Sequence, residues 1–145
     1  MVLYKNIFIA DDDEDDRLLF SKALEEINKN IKCEFATDGH HALTTLKKLP
    51  VLPDILFLDL NMPKINGLEC LRRIKNDINL IKLPIVIFTT SQNPDDIETT
   101  YRLGANVYFS KPSNYNVLKA KLEHILKLDF ASENSSIDVT YQYAV

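Results

Sequence analysis

Cysteine is scarce in this sequence: Cys33 and Cys70 are the only two. Neither stands at a metal-ligand spacing and each falls inside an apolar pattern, so both read as reduced, half-buried core residues. That usage fits a reducing, cytoplasmic compartment. Long apolar runs are missing too. No stretch approaches the ~20 residues that a membrane-spanning helix needs. Met1 to Asn6 shows neither the apolar core nor the small-residue cleavage site of a secretory signal. Basic excess is the third absence. Lys and Arg total 17 against 21 Asp and Glu, a net charge of −4, which argues against the basic footprint of a direct nucleic-acid binder. Histidine pairing is the fourth. His40 and His41 are adjacent, which sets them ~100° apart on a helix, and His124 stands alone, so none is expected to hold a metal.

What remains is an ordinary globular composition, 46% hydrophobic and 26% charged over 145 residues. That length suits one domain, burying roughly two thirds of its unfolded surface. The chain is organised around Pro53-Asp54-Ile55-Leu56-Phe57-Leu58-Asp59-Leu60-Asn61-Met62-Pro63. An apolar run between prolines reads as a buried strand of a parallel sheet. Asp59 then falls at the strand's carboxyl end, where open α/β sheets place their ligands. Taken alone, Asp59 serves equally well as a turn or cap aspartate.

The rest of the chain decides. Ile7 to Ala10 is a short strand that runs into Asp11-Asp12-Asp13-Glu14-Asp15-Asp16. Leu18, Leu19, Ala23, Leu24 and Ile27 recur at helical spacing, so a helix starts near Asp13 or Glu14. The acids from Asp13 to Asp16 complement that helix's dipole, but Asp11 and Asp12 precede the helix and are not explained this way. Cys33 to Thr37 is a second strand, Asp38-Gly39 a turn, and Ala42, Leu43, Leu46 and Leu49 a helix face. After the Asp59 strand, Leu68, Leu71, Ile74 and Ile78 predict a third helix. Ile85 to Phe88 is a strand closed by Thr89-Thr90-Ser91. Asn93-Pro94-Asp95-Asp96 opens a helix that stops at Gly104, a left-handed cap. Val107 to Phe109 leads into Ser110-Lys111-Pro112, and the last helix spans about 115–127 with Val117, Leu118, Leu122, Ile125 and Leu126 on its face.

Five alternations of strand and helix predict an α/β, doubly wound five-stranded parallel sheet with helices on both faces. Right-handed crossovers put every strand's carboxyl end on one edge. Asp11, Asp12, Asp59, Thr89 with Thr90, and Lys111 therefore converge. Two carboxylates ~4 Å apart repel by roughly 4 kcal/mol at an effective dielectric of 20, so such a cluster needs a cation. Hard oxygen ligands suit Mg2+. Three carboxylates, Mg2+ and the Lys111 ammonium sum to a formal charge of zero, a centre that can accept a phosphoryl group on an aspartate nucleophile.

These residues carry a resemblance. Ala10-Asp11-Asp12, Asp59 within Leu58-Asp59-Leu60-Asn61-Met62-Pro63-Lys64-Ile65-Asn66-Gly67, Thr89 after Ile85 to Phe88, and Lys111-Pro112 stand in order, each at a strand end. In them the chain resembles a receiver domain of two-component response regulators, of the stand-alone, single-domain type. The likeness covers about residues 4–128. It implies the flavodoxin-like strand order 2-1-3-4-5. It implies that Asp59 accepts a phosphoryl group from a sensor histidine kinase or a histidine phosphotransfer protein. Asp12, Asp59 and the carbonyl of Asn61 would bind Mg2+ directly, with Asp11 helping through water. Asp12 with Asp13 is the competing acid register; alignment on Ala10 favours Asp11 with Asp12. Lys111 would pair with the phosphoryl group, and its bond to Pro112 would be cis. Thr89 would be the switch hydroxyl and Tyr108 the aromatic switch, the plainer reading of Tyr108 being a half-buried strand aromatic. The family usually has Asp-Gly where this chain has Asn66-Gly67, and a turn tolerates either. Asn61 and Ser91 lie where the family tunes phosphoryl lifetime.

The expected function is that of a phosphoacceptor, not an enzyme beyond slow self-dephosphorylation. The acyl phosphate would shift the surface of the fourth helix, fifth strand and fifth helix toward a downstream protein target. Two alternatives are a degenerate receiver that docks partners without phosphorylation, and a Mg2+-dependent aspartyl phosphohydrolase. The second lacks a further acid two residues after Asp59, where Asn61 stands. Residues 1–128 are assigned to the receiver and 129–145 to a tail too short for a DNA-binding module. Ile137, Val139, Tyr141, Tyr143 and Val145 alternate, so the tail reads as an added strand, a packing arm, or a frayed terminus. Homodimerisation is left open.

Overall fold

A computed structural model of the chain describes residues 2–130. The elements alternate as predicted: β1 (Asn6–Ala10), α1 (Glu14–Ile27), β2 (Lys32–Ala36), α2 (Gly39–Lys48), β3 (Ile55–Leu58), α3 (Gly67–Lys75), β4 (Ile85–Thr89), α4 (Pro94–Leu103), β5 (Val107–Ser110) and α5 (Tyr115–Ile125). The strands form one parallel sheet in the order β2-β1-β3-β4-β5. Both the doubly wound architecture and the strand order match expectation.

Side chains on a strand alternate between faces, so each strand feeds two cores. Ile7 and Ile9 of β1, Phe57 of β3, Phe88 of β4 and Phe109 of β5 pack on one face with Phe20, Leu118 and Leu122 of the covering helices α1 and α5. Phe8, Leu56, Leu58, Ile87 and Tyr108 face the other way, against Leu43 and Leu46 of α2 and Leu71 and Ile74 of α3. Phe20 anchors the first core, with its ring 4.8 Å from Phe57 and 5.5 Å from Phe88. Edge strand β2 lacks that double cover, and Phe35 is largely exposed there.

Each of the five helices opens on an Asp or Asn whose side chain accepts a backbone N–H: Asp13, Asp38, Asn66, Asn93 and Asn114. Gly104 closes α4 with φ of 98°, as expected of a left-handed cap. A Cβ added there meets nothing closer than the Lys75 side chain at 3.4 Å, so Gly104→Ala tests backbone strain alone. The expected loss is about 1 kcal/mol, or ~3 °C in a thermal melt.

Several local expectations are corrected. Asp38-Gly39 is not a free turn but the cap and first residue of α2. Leu18 and Leu19 face solvent, and the buried stripe of α1 runs through Phe20, Ala23 and Leu24. Phe20, Ala23, Leu24 and Ile27 satisfy the i, i+3, i+4, i+7 spacing better, and the large ring decides the rotation. Ile78 lies beyond α3 and is 88% exposed, and Val117 is exposed on α5. Cys70 is buried and Cys33 half-buried, both free, and burial pushes each thiol up to about 11.

Packing continues past Leu128. Tyr4 donates its hydroxyl to the Leu128 carbonyl at 2.7 Å and accepts the Phe130 N–H at 3.0 Å, while the two rings stack at 5.9 Å. The alternating residues Ile137 to Val145 lie outside the described residues. No described helix is long and apolar enough to cross a membrane.

Candidate functional site

The parallel register brings the strand ends together. Asp11 follows β1 and donates its N–H to the Ala36 carbonyl, and Asp59 follows β3 and donates to the Ala10 carbonyl, both at 3.0 Å. Thr89 is the last residue of β4, and Lys111 follows β5, donating its N–H to the Thr89 carbonyl at 2.8 Å. Asp11, Asp59 and Thr89 are buried, whereas Asp12 is exposed. Carboxylate oxygens of Asp11, Asp12 and Asp59 all lie within 4.8 Å of one another. Asp13, the competitor in the acid register, is instead the N-cap of α1.

Lys111 occupies the centre of this charge. Its Nζ lies 2.7 Å from Asp11 Oδ2, 2.7 Å from Asp16 Oδ2 and 3.3 Å from Asp59 Oδ2. The Phe88 ring centroid is 5.4 Å away, within cation–π range. Burial alone would lower the Lys111 pKa, but Asp11, Asp16 and Asp59 outweigh it and the net shift is upward. Asp11 shows the opposite balance. Burial pushes its carboxyl up to about 6, although Lys111 and the Asp13 N–H, 2.9 Å from Oδ1, pull it down. The Lys111 contact to Asp11 Oδ2 has the length of a hydrogen bond but not the direction, so this buried oxygen has an ionic neighbour and no well-aligned donor.

That buried, poorly satisfied oxygen and the two neighbouring carboxylates make a hard-oxygen donor set that fits a divalent cation. Asn61 is exposed beside it and donates its N–H to Asp59 Oδ1 at 3.4 Å. On the opposite flank Thr89 Oγ1 accepts the Ser91 N–H at 3.4 Å. Tyr108 is fully buried, not half-buried, and its hydroxyl donates to the Ser91 carbonyl at 2.9 Å. Ser91 in turn donates to Asp96 of α4 at 2.7 Å. Thr89, Tyr108 and α4 therefore meet at one loop residue.

The glycine of Asn66-Gly67 has its own reason here. Asn66 caps α3, and Gly67 lies so close to β3 that an added Cβ would sit 2.1 Å from the Asp59 carbonyl oxygen. Reading the sequence missed Asp16, which it placed among the helix-dipole acids, and Arg17, which donates to the Asp11 carbonyl at 2.8 Å. Asp16 and Lys111 are separated by 95 positions, and no local pattern links them. The cis bond expected before Pro112 is also corrected. No cis peptide occurs among the described residues, in keeping with the trans preference of even X–Pro bonds.

A family model described as the response regulator receiver domain matches residues 7–123. The response regulator Rcp1 of Synechocystis sp. is 32% identical over 115 residues, covering 76% of this chain and 78% of that protein. Among solved structures, the phosphorylated cyanobacterial phytochrome response regulator RcpA superposes with a TM-score of 0.79 at 34% identity, over 84% of this chain and 91% of that one. The Mn(2+)-bound form of response regulator Rcp1 superposes with a TM-score of 0.75 at 29% identity, over 83% and 91%.

Proposed function

The chain belongs to the response regulator receiver domain family, and from that premise we propose that Asp59 is the phosphoacceptor of a two-component relay. The single observation that carries this reading is the Lys111 ammonium, held among the carboxylates of Asp11, Asp16 and Asp59 at the common edge of the sheet. An Asp59 carboxylate oxygen attacks the phosphorus of a phosphohistidine on a histidine kinase or phosphotransfer protein. The new P–O bond forms as the P–N bond breaks, and the imidazole leaves with its electron pair and takes up a proton.

Asp11, Asp12 and Asp59, with the Asn61 carbonyl, would hold Mg2+. When bound, Mg2+ offsets the negative charge on the phosphoryl oxygens. Lys111 turns its ammonium from the Asp11 and Asp59 carboxylates toward the phosphoryl group. Thr89 gives up the Ser91 N–H and moves its hydroxyl to the same oxygens. Ser91 also accepts from Tyr108 and donates to Asp96, so this movement shifts the loop and with it the face built by α4, β5 and α5. A downstream protein that prefers the shifted face captures it. Free, unreactive thiols at Cys33 and Cys70 fit a cytoplasmic setting.

The test is intact mass after incubation with Mg2+ and acetyl phosphate, beside an Asp59→Ala variant. A gain of one phosphoryl group in the parent alone, lost on chelation, is the expected result. No gain in a folded parent would favour a phosphorylation-independent docking module.

Metal affinity should also depend on pH. Asp11, with its carboxyl pushed up to about 6, must lose its proton before serving a cation. Affinity for Mg2+ is expected to be level above that value and to fall up to about tenfold per pH unit below it. Calorimetric titrations at pH 5 and 7.5 would show the difference, and equal affinities would argue that Asp11 takes no part.

A further inference from the structure

Lys111 has three N–H donors and three carboxylate neighbours, but the three are not equivalent. Asp11 and Asp59 belong, with Asp12, to the cluster whose oxygens lie within 4.8 Å of one another. Asp16 stands outside that cluster, yet its Oδ2 is as close to the ammonium as that of Asp11, at 2.7 Å. Its hydrogen bond to Lys111 is well directed, where the contact of Asp11 is not. Any cation held by Asp11, Asp12 and Asp59 draws on two of the three Lys111 partners at once. Asp16 is the partner left over.

The placement of Asp16 is braced from both sides. Its own N–H is tied to the Asp13 cap at 3.1 Å, and the next residue, Arg17, hydrogen-bonds the Asp11 carbonyl at 2.8 Å. The first turn of α1 is thus fixed to the end of β1, directly across from Lys111. The side chain of Asp16 is 32% exposed and that of Lys111 only 9%, so the pair closes one side of a largely buried ammonium.

We propose that Asp16 is a positioning residue for Lys111, holding the ammonium beside the phosphoryl position of Asp59 while Asp11 and Asp59 serve the metal. This rests on the phosphoacceptor reading and deepens it. A long, flexible lysine without that anchor loses rotamer entropy each time it engages the phosphoryl group. A helix-dipole role for Asp16 makes a different prediction, because its effect would not depend on Lys111.

The test uses the full chain as parent, Asp16→Asn, Lys111→Met and the double variant. With Mg2+ and acetyl phosphate, Asp16→Asn is expected to take up phosphoryl about tenfold more slowly, equivalent to ~1.4 kcal/mol for one charge-assisted hydrogen bond. In the Lys111→Met background the same substitution should change the rate by less than about twofold, since the coupling has no second partner. A readout independent of phosphorylation is the side-chain ammonium signal of Lys111 in nitrogen-15 NMR of the metal-free protein. It should be sharp in the parent and broadened by exchange with water in Asp16→Asn. An unchanged rate in Asp16→Asn, or an equal loss in both backgrounds, would overturn the proposal. A parent that takes up no phosphoryl group would sink the Asp59 reading and this proposal with it, an outcome distinct from loss of the Asp16 effect alone.

Discussion

Lys111→Met is expected to destabilise the metal-free protein by roughly 3–5 kcal/mol at neutral pH, the range for breaking a buried ion pair from one side. Asp11 is fully buried and the Asp59 side chain only 7% exposed, so neither can recover hydration when the ammonium is removed. Their mutual repulsion, now shared with Asp12 and Asp16, is left without an internal counter-charge. In thermal melts the fall should be on the order of 10 °C for a chain of this size.

The pH dependence should change with it. In the parent, the Lys111 pKa is raised above its ordinary value, so its contribution is fully present below about 10.4 and is lost as pH rises through the folded-state value. Asp11 acts in the same sense, in a lower pH window. Its folded pKa of about 6 lies above the ordinary carboxyl value of 3.8, so the fold binds more protons than the unfolded chain between those values, and stability falls as pH rises through them. Without Lys111 that window extends to higher pH. The variant should therefore be more stable at pH 5 than at pH 7, and added Mg2+ should recover part of the loss at pH 7. Urea titrations at the two pH values, with and without Mg2+, measure both effects. A variant as stable as the parent at pH 7 would mean that the carboxylates do not depend on this ammonium.

Gly67→Ala is the second large effect. The new methyl group would sit 2.1 Å from the Asp59 carbonyl oxygen, 2.6 Å from the Leu60 Cα and 2.9 Å from the Asp59 carbonyl carbon. All three are backbone atoms, which cannot rotate aside as a side chain can. Either the start of α3 or the end of β3 must move. The expected cost is about 3 kcal/mol, at the upper end for overpacking. Because Asp59 itself is displaced, phosphoryl uptake should fall with stability. Gly104→Ala is the natural control, since it adds the same atom away from the sheet edge, where it meets only the flexible Lys75 side chain at 3.4 Å. If Gly67→Ala costs no more than Gly104→Ala in chemical denaturation, the contact between α3 and β3 yields more readily than this geometry implies.

Much of the molecule could be read from the chain because the relevant signals are local. Asn93-Pro94 and Gly104 marked the two ends of α4, apolar residues at helical spacing marked the other helices, and short β-branched and aromatic runs marked the strands. Parallel topology then requires strand ends to share an edge, which is why the convergence of Asp11, Asp12, Asp59, Thr89 and Lys111 is legible in the sequence. The same locality explains the misses. Leu18, Leu19 and Val117 are apolar and helical, but which side of a helix meets the sheet is settled by the fit of large side chains such as Phe20 against Phe57 and Phe88. Ile78 looked like one more turn of α3, yet the helix ends at the Asn76 cap.

The sequence by itself determined the order of elements, the architecture of the sheet and the charges gathered at its edge, since each follows from residue type and short-range spacing. Tertiary structure alone decided that Gly39 must pass the Ile65 carbonyl and Gly67 the Asp59 carbonyl, that Ser91 joins Thr89, Tyr108 and Asp96, and that Asp16 reaches Lys111. The physical reason is that these contacts are made between elements, not within them. Asp16 and Lys111 stand 95 positions apart, and even the shorter-range contacts join separate elements whose approach depends on how rigid layers dock, to within an ångström, which no local preference encodes.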